Sequence, residues 1–274
     1  MDKDPFRLVL AFDATPAALQ AARFVAAHQG TRTEVLALIV PPREALEAQA
    51  EQELEGARAI LNDLQAEYAV RAGFPPEIIV DEARDRAAHA IVSGTRARGG
   101  AMGLGSVASE LLRGSEFPLI LVKHDARIPR ALGRAARVVI ATDGSPHALR
   151  AAALVRAWLG WLGEVEAHVV HALDTTPLLD KLVAPHRDAL DPESTERGEQ
   201  AVRTCAGTLA GCKAVHTHVV SGDPASALAR MAAELDADLI VMGTHGRGAR
   251  SHALFGSIAM KTVQWSAVPV VLVP

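Results

Sequence analysis

The chain reads as two α/β domains in tandem, each a doubly wound parallel sheet, and three observations predict this. Short continuous apolar runs alternate with longer stretches of helical period, the pattern of strands covered on both faces by helices. Twice, an apolar run leads into a glycine-rich turn, a Gly-Ser pair and a closing apolar strand. One copy is Asp238 to Gly248, Gly256-Ser257 and Val268 to Val273; the other is Ala90 to Gly100, Gly105-Ser106 and Phe117 to Val122. The offsets repeat as well: Gly73 and Gly94 are 21 residues apart, and so are Gly222 and Gly243. A period this long makes two globular units and not a solenoid. The expected domains are 1–127 and 137–274, joined by a linker at 128–136.

The elements follow in order. Leu8 to Phe12 is the first strand, and Thr15-Pro16 then supplies a helix N-cap with proline at the first helical position. Val35 to Val40 is the second strand. Glu44 to Ala66 is expected as one long helix, apolar at Leu46, Ala50, Leu54, Ala57, Leu61 and Leu64. Glu77-Ile78-Ile79-Val80 alone would pass for a strand. Its repeat partner, Ala225 to Ala233, is plainly helical, so 75–87 is assigned as helix. Arg127, Arg130, Arg134 and Arg137 give the linker a basic stretch, read as a solvated connector, with a phosphate or nucleic-acid contact as the other reading. The second half then repeats the pattern: Arg137 to Pro146 matches Arg7 to Pro16, and Val165 to Ala172 is its second strand. A polar, proline-containing insertion runs from Asp174 to Glu193. It is a surface excursion or a flap, because it leaves the carboxyl edge of a strand, where open α/β sheets bind ligands. The end strands, Phe117 to Val122 and Val268 to Val273, are apolar edges that would aggregate if uncovered. Pairing them antiparallel would join the halves as an internal pseudo-dimer; left exposed, they would favour association of two chains.

Bulk properties narrow the function. With 274 residues, 49% apolar and 4% aromatic, each half can bury a core built on Val, Leu, Ile and Ala. The net charge of −4 offers no basic footprint for nucleic acid. No apolar run is long enough to span a bilayer, and Met1 to Pro5 does not read as a signal peptide, so a cytoplasmic location is expected. Cys205 and Cys212 are expected on one helix, too far apart along it for a disulfide, and reduced. The eleven histidines read as scattered, with no metal-ligand spacing; His168 and His171 flank a buried strand and His186 lies in the insertion.

The glycine-rich turns carry the chemistry. A strand that ends in such a turn and re-enters a helix points several backbone N–H groups into one concavity, which suits phosphate. Gly243, two residues, Gly246, nine residues, Gly256-Ser257 resembles the nucleotide-binding loop of the universal stress protein family. The resemblance covers nearly the whole chain and is closer in the second half. It implies a Rossmann-like fold of the adenine nucleotide alpha hydrolase-like type, with ATP or another adenine nucleotide bound and Mg²⁺ carried through its phosphates. It also implies roles: Ala141, Thr142 and Asp143 on the adenosine side, Ala172 and Met242 beside the base, Gly243 against the ribose. The backbones of Gly246, Gly256, Ser257 and Ile258 would hold phosphates. Read from the residues alone, Asp143 has a second reading as a helix cap, Gly243 and Gly246 as a tight turn, and Met242 as a core filler. His245, Arg247 and Arg250 lie in the loop and either neutralise phosphates or are solvated; His252 and Lys261 are expected on the surface.

The first half departs from this pattern. Ala97 replaces the second glycine, only seven residues separate it from Gly105, and Phe12 and Ser93 stand where Thr142 and Met242 do. Asp13 survives, which suits a nucleoside or nothing. The resulting expectation is a cytosolic, stress-responsive regulatory protein that binds adenine nucleotide in its second half. The rivals are a slow nucleotide hydrolase or adenylyl-transfer enzyme, with His245 or an insertion residue as base, and a nucleotide-free interaction scaffold.

Overall fold

The computed structural model describes residues 4–27, 32–41, 47–95, 104–128, 134–175, 192–246 and 256–274. Among the described residues each half contributes five strands: β1 (Phe6–Ala11), β2 (Thr33–Ile39), β3 (Gln65–Val70), β4 (Ala90–Thr95) and β5 (Leu119–Lys123), then β6 (Ala136–Ala141), β7 (Val165–Leu173), β8 (Ala214–Ser221), β9 (Leu239–Gly243) and β10 (Val270–Val273). The helices of the first half are α1 (Pro16–Ala27), α2 (Glu47–Ile60), α3 (Pro75–Asp85) and α4 (Ser106–Gly114). Those of the second are α5 (Pro146–Ala157), α6 (Leu159–Leu162), α7 (Pro192–Ala206), α8 (Pro224–Glu234) and α9 (Ser257–Trp265). All strands join one sheet of order β3-β2-β1-β4-β5-β10-β9-β6-β7-β8. Every pairing is parallel except the central one. There β5 meets β10 antiparallel, with Leu121 opposite Val270 and Leu119 opposite Leu272. The two end strands therefore satisfy each other inside one chain, and the sheet's outer edges are β3 and β8.

The strands at the centre are buried on both faces because helices cover both. Leu8, Leu10, Val138 and Ile140 point into one apolar layer, and Val9, Val139, Ile91 and Ile240 into the other. The first layer runs unbroken across the seam. Phe6 stacks on Trp161 at 4.5 Å and meets Trp158 edge-on at 5.4 Å, while Phe24 reaches the same Trp161. Such aromatic pairs contribute about 0.5–1.5 kcal/mol beyond their burial.

The helix starts follow the expected devices. Thr15 Oγ1 accepts from the Ala18 N–H at 3.3 Å, and Ser145 Oγ from Ala148 at 3.2 Å. The segment from Pro75 is helical, as its repeat partner indicated. Three readings need correction. The long helix ends at Ile60, and residues 65–70 form β3 instead. β3 is an edge strand with one buried residue, Ala69, so Gln65-Ala66-Glu67-Tyr68 carries little apolar signal. Cys212 lies beyond the end of α7, not on it. Arg127, Arg134 and Arg137 are not part of a solvated connector. Arg134 clamps fully buried Asp238 through two hydrogen bonds of 2.9 and 2.8 Å, Arg127 pairs with Asp236, and Arg137 bonds the Leu235 carbonyl and Glu166. Arg130 lies outside the described residues, as do 176–191 of the insertion; Pro192 and Glu193, assigned to it, open α7.

Candidate functional site

The carboxyl ends of β6, β7 and β9 lie side by side in the sheet, where an open α/β sheet forms its crevice, and the residues expected there divide by what holds them. Ala141 and Met242 lie on the same side of the sheet as the α8 and α9 core, and Ala172 shares that side by alternation with Val170. Both alanines are half-buried, and Met242 is buried. Thr142 is buried, and its hydroxyl accepts from the Gly144 N–H at 3.1 Å. Its carbonyl accepts from Nδ1 of His171 at 2.8 Å. The Thr142 side chain is thus turned inward, and its backbone is bonded to β7 at both its carbonyl and its N–H, the latter donating to the Val170 carbonyl at 2.9 Å.

Asp143 is half-buried at the turn into α5. One carboxylate oxygen, Oδ1, accepts from Ser145 N–H at 2.9 Å and closes the turn, which requires Gly144 at φ 74°. The other oxygen faces Gly246: a Cβ built on Gly246 would lie 2.7 Å from Asp143 Oδ2. Gly256 comes back to the same place, its N–H donating to the Thr244 carbonyl at 3.0 Å. It is the N-cap of α9 and has no side-chain cap, so the first amides of that helix, at Ser257 and Ile258, open beside the turn with both side chains exposed. His245 sits half-buried, its Nδ1 2.9 Å from Thr244 Oγ1 and its ring 5.4 Å from that of His147. The chain therefore gathers Asp143, Gly246, Gly256, Ser257 and Ile258. Arg247, Arg250 and His252 lie outside the described residues.

Gly243 has a packing role that the sequence reading weighed only as a tight turn. A Cβ there would lie 2.7 Å from Cβ of His147 and 3.0 Å from its carbonyl carbon, because the first turn of α5 rests on β9. Gly94 does the same for α1, where a Cβ would fall 2.5 Å from backbone atoms of Ala17 and Ala18.

The matching crevice of the first half is small. Phe12, Asp13, Thr15, Ser93, Gly105, Ser106 and their neighbours line a cavity of about 190 Å³. Asp13 is exposed, and its Oδ1 accepts from both the N–H and the hydroxyl of Thr15. Phe12 turns into the core against Leu19 and Gly56.

Sequence reasoning missed what the histidines do. His171 braces β6 and packs on α7, where Gly198 leaves room for its ring. His168, His216 and His218 are not scattered: β7 and β8 bring them to one face with Glu166. Only the strand register reveals this, since His168 and His216 are 48 residues apart in the chain. Burial holds His168 below the usual histidine range, the charge of His216 adding to the effect, and burial also lowers His218. Burial pushes the Cys205 thiol, beneath Thr142, up to about 11.

The sequence profile described as the Universal stress protein family matches residues 6–123 and again 135–274. The chain belongs to the universal stress protein family. It does so as a tandem of two family domains. Among similar proteins is one described as "Universal stress protein in QAH/OAS sulfhydrylase 3′ region" of Thermus aquaticus, 38% identical over 141 residues, 50% of this chain and 96% of that relative. A universal stress protein of Mycolicibacterium smegmatis is 27% identical over 259 residues, covering 84% of this chain and 78% of its own length. A solved universal stress protein from Archaeoglobus fulgidus overlays 97% of both chains with a TM-score of 0.65 at 23% identity, a likeness of fold. Its architecture, like that of this chain, is the Rossmann-like α/β fold of universal stress proteins. Among the described residues no helix is long and apolar enough to cross a membrane.

Proposed function

We propose that this universal stress protein is a cytoplasmic, stress-responsive regulatory protein that binds ATP or a related adenine nucleotide in its second domain, residues 137–274. One observation carries the reading. The Asp143 carboxylate, the Gly246 turn and the uncapped amino end of α9 converge at the carboxyl edge of β6 and β9. A helix amino terminus with free amides attracts phosphate, and a carboxylate at the strand end reads ribose hydroxyls or a base amino group. Ala141, Ala172 and Met242 would give the base an apolar wall, and Gly243 and Gly246 would let backbone approach the sugar and phosphates. Arg247 would add charge, and Mg²⁺ would enter with the phosphates and not through a site of its own. The first-domain cavity is below the roughly 300 Å³ at which small-molecule pockets begin, which supports assigning the nucleotide to the second domain.

The test is a thermal shift with nucleotide-stripped protein, ATP and magnesium. At about 100 times the dissociation constant, binding stabilises by roughly 2.7 kcal/mol. Asp143→Asn keeps an acceptor for the Ser145 N–H but removes the charge. A hydrogen bond to a charged group contributes about 1.5–3 kcal/mol, so affinity should fall about 10- to 150-fold. Asp13→Asn should leave the shift intact. No shift in the wild-type chain would favour the scaffold reading, and loss in Asp13→Asn alone would move the site to the first domain.

A further inference from the structure

We propose that Glu166, His168 and His216 form a binding site for a divalent transition-metal cation of the zinc class, with His218 holding the His168 ring in place. Glu166 and His168 share a face of β7, and His216 sits directly opposite His168 on β8. Glu166 Oε1 lies 3.6 Å from His168 Nε2 and 3.4 Å from His216 Nε2, and all three donor atoms lie within 4.8 Å of one another. Metal–ligand bonds of about 2.0–2.2 Å in tetrahedral array need donors roughly 3.3–3.6 Å apart. Both carboxylate–imidazole separations already meet this. The two imidazoles can close the remainder by rotation of His216, whose side chain is 48% exposed.

The surroundings fit ligation. Nε2 of His168 is buried and has no hydrogen-bond partner among the described residues, in a side chain only 5% exposed. A buried polar atom left without a partner is costly, and a cation would satisfy it. Its other ring nitrogen, Nδ1, lies 3.1 Å from Nε2 of His218. With the proton on Nδ1, His168 donates to His218 and presents a lone pair at Nε2, the outer contact typical of a metal-bound histidine. Glu166 is held in the same way: Oε2 accepts from Nε of Arg137 at 3.2 Å, leaving Oε1 for the cluster.

The internal repeat supplies an independent comparison. Arg7 opposite Glu34 in the first domain corresponds to Arg137 opposite Glu166 in the second. By the same register, His168 replaces buried Leu36, His216 replaces Glu67, and His218 replaces Ala69. The fold therefore packs with leucine, glutamate and alanine at these positions, and the imidazoles are an addition that packing does not require. Two imidazoles and one carboxylate select zinc, copper or nickel over magnesium or calcium. The cluster lies toward the amino ends of β7 and β8, whereas the crevice lies at the carboxyl ends, so the two sites are separate.

The full-length chain, treated with chelator and stripped of nucleotide, would be titrated with ZnCl₂ by calorimetry and thermal shift, and with CoCl₂ by visible spectroscopy. Zinc should bind and raise the melting temperature, cobalt should give tetrahedral d–d bands, and MgCl₂ should do neither. His168→Leu, carrying the first domain's residue, should fold normally and lose the zinc shift and the cobalt bands. His218→Ala should weaken zinc about 10- to 100-fold, while Asp143→Asn should bind it normally. Absence of zinc and cobalt signals in the wild-type chain overturns the proposal. So does their persistence in both His168→Leu and His216→Ala.

Discussion

Adding a single methyl group at Gly94 should force apart a strand and a helix. A Cβ there would stand 2.5 Å from the carbonyl carbon of Ala17 and from the Ala18 nitrogen, and 2.9 Å from the Ala17 oxygen. Carbon contacts are favourable near 3.5–4.0 Å, so α1 must move off β4 by about 1 Å. The obstructing atoms are backbone, so no side-chain rotation relieves the clash. Overpacking of this kind costs about 1–3 kcal/mol. The stiffer unfolded chain returns about 0.4–1 kcal/mol, for a net loss centred on about 1.3 kcal/mol. At about 2–4 °C per kcal/mol in chains of this size, Gly94→Ala should melt about 3–5 °C lower. Gly243→Ala should lose less, its closest contact being the 2.7 Å approach to His147 Cβ. Gly114→Ala is the control: it ends α4 with nothing within 4 Å of a new Cβ, and should gain a few tenths of a kcal/mol. Urea unfolding of the three variants at constant m-value would read these changes. Equal midpoints for Gly94→Ala and Gly114→Ala would refute the argument that close strand–helix approach requires glycine at position 94.

Arg134→Ala removes two of the three hydrogen bonds to the carboxylate of fully buried Asp238, leaving the one from the Arg137 N–H at 2.6 Å, and should cost toward the lower end of about 3–5 kcal/mol, measurable by urea unfolding. The Cys205 thiol, ordinarily near 9 and raised to about 11 by burial, ionises in the unfolded chain before the folded one. Its contribution is intact below pH 9 and is lost as pH rises from 9 to 11. Two pKa units correspond to about 2.7 kcal/mol, so Cys205→Ala should show a flatter stability profile over that window. Ala87, exposed at φ 48°, sits at the end of α3 where the Ala88 N–H reaches back to the Ala83 carbonyl. Ala87→Gly should stabilise by about 0.5–1 kcal/mol by removing a left-handed Cβ, checked by thermal melting.

Legibility in the sequence followed burial. β1, β4, β6 and β9 are sheet-centre strands with long apolar runs, and their places were plain. β3 and β8 are edges with polar faces, so Gln65 and Ala66 were absorbed into a helix, and Glu67 to Val70 and Ala214 to Ser221 drew no notice. The helix starting at Pro75 was recoverable only because its repeat partner at Pro224 was unambiguous. At the crevice, glycine spacing located the turn, and the aspartate was legible from its strand end. The packing demand on Gly243 was not, because it depends on how closely α5 lies against β9. The arginines looked solvated because their acceptors, Asp236, Asp238 and Leu235, lie about a hundred residues on.

The seam between the halves explains why the two domains can differ while the fold holds. β5 and β10 close the sheet against each other, and Phe6, Phe24, Trp158 and Trp161 fill the layer above it. Neither end strand is then a free edge, so a separated first half should expose β5. Residues 1–127 alone are expected to dimerise or precipitate, since an unpaired apolar strand templates pairing with a second copy. Analytical ultracentrifugation of that fragment decides the point, and a well-folded soluble monomer would count against the seam as the main support of β5. If the seam carries the stability, the crevices and outer strands are free to diverge. The two halves differ in those places: Phe12 against Thr142 at the crevice, and Leu36 and Ala69 against His168 and His218 on the outer strands.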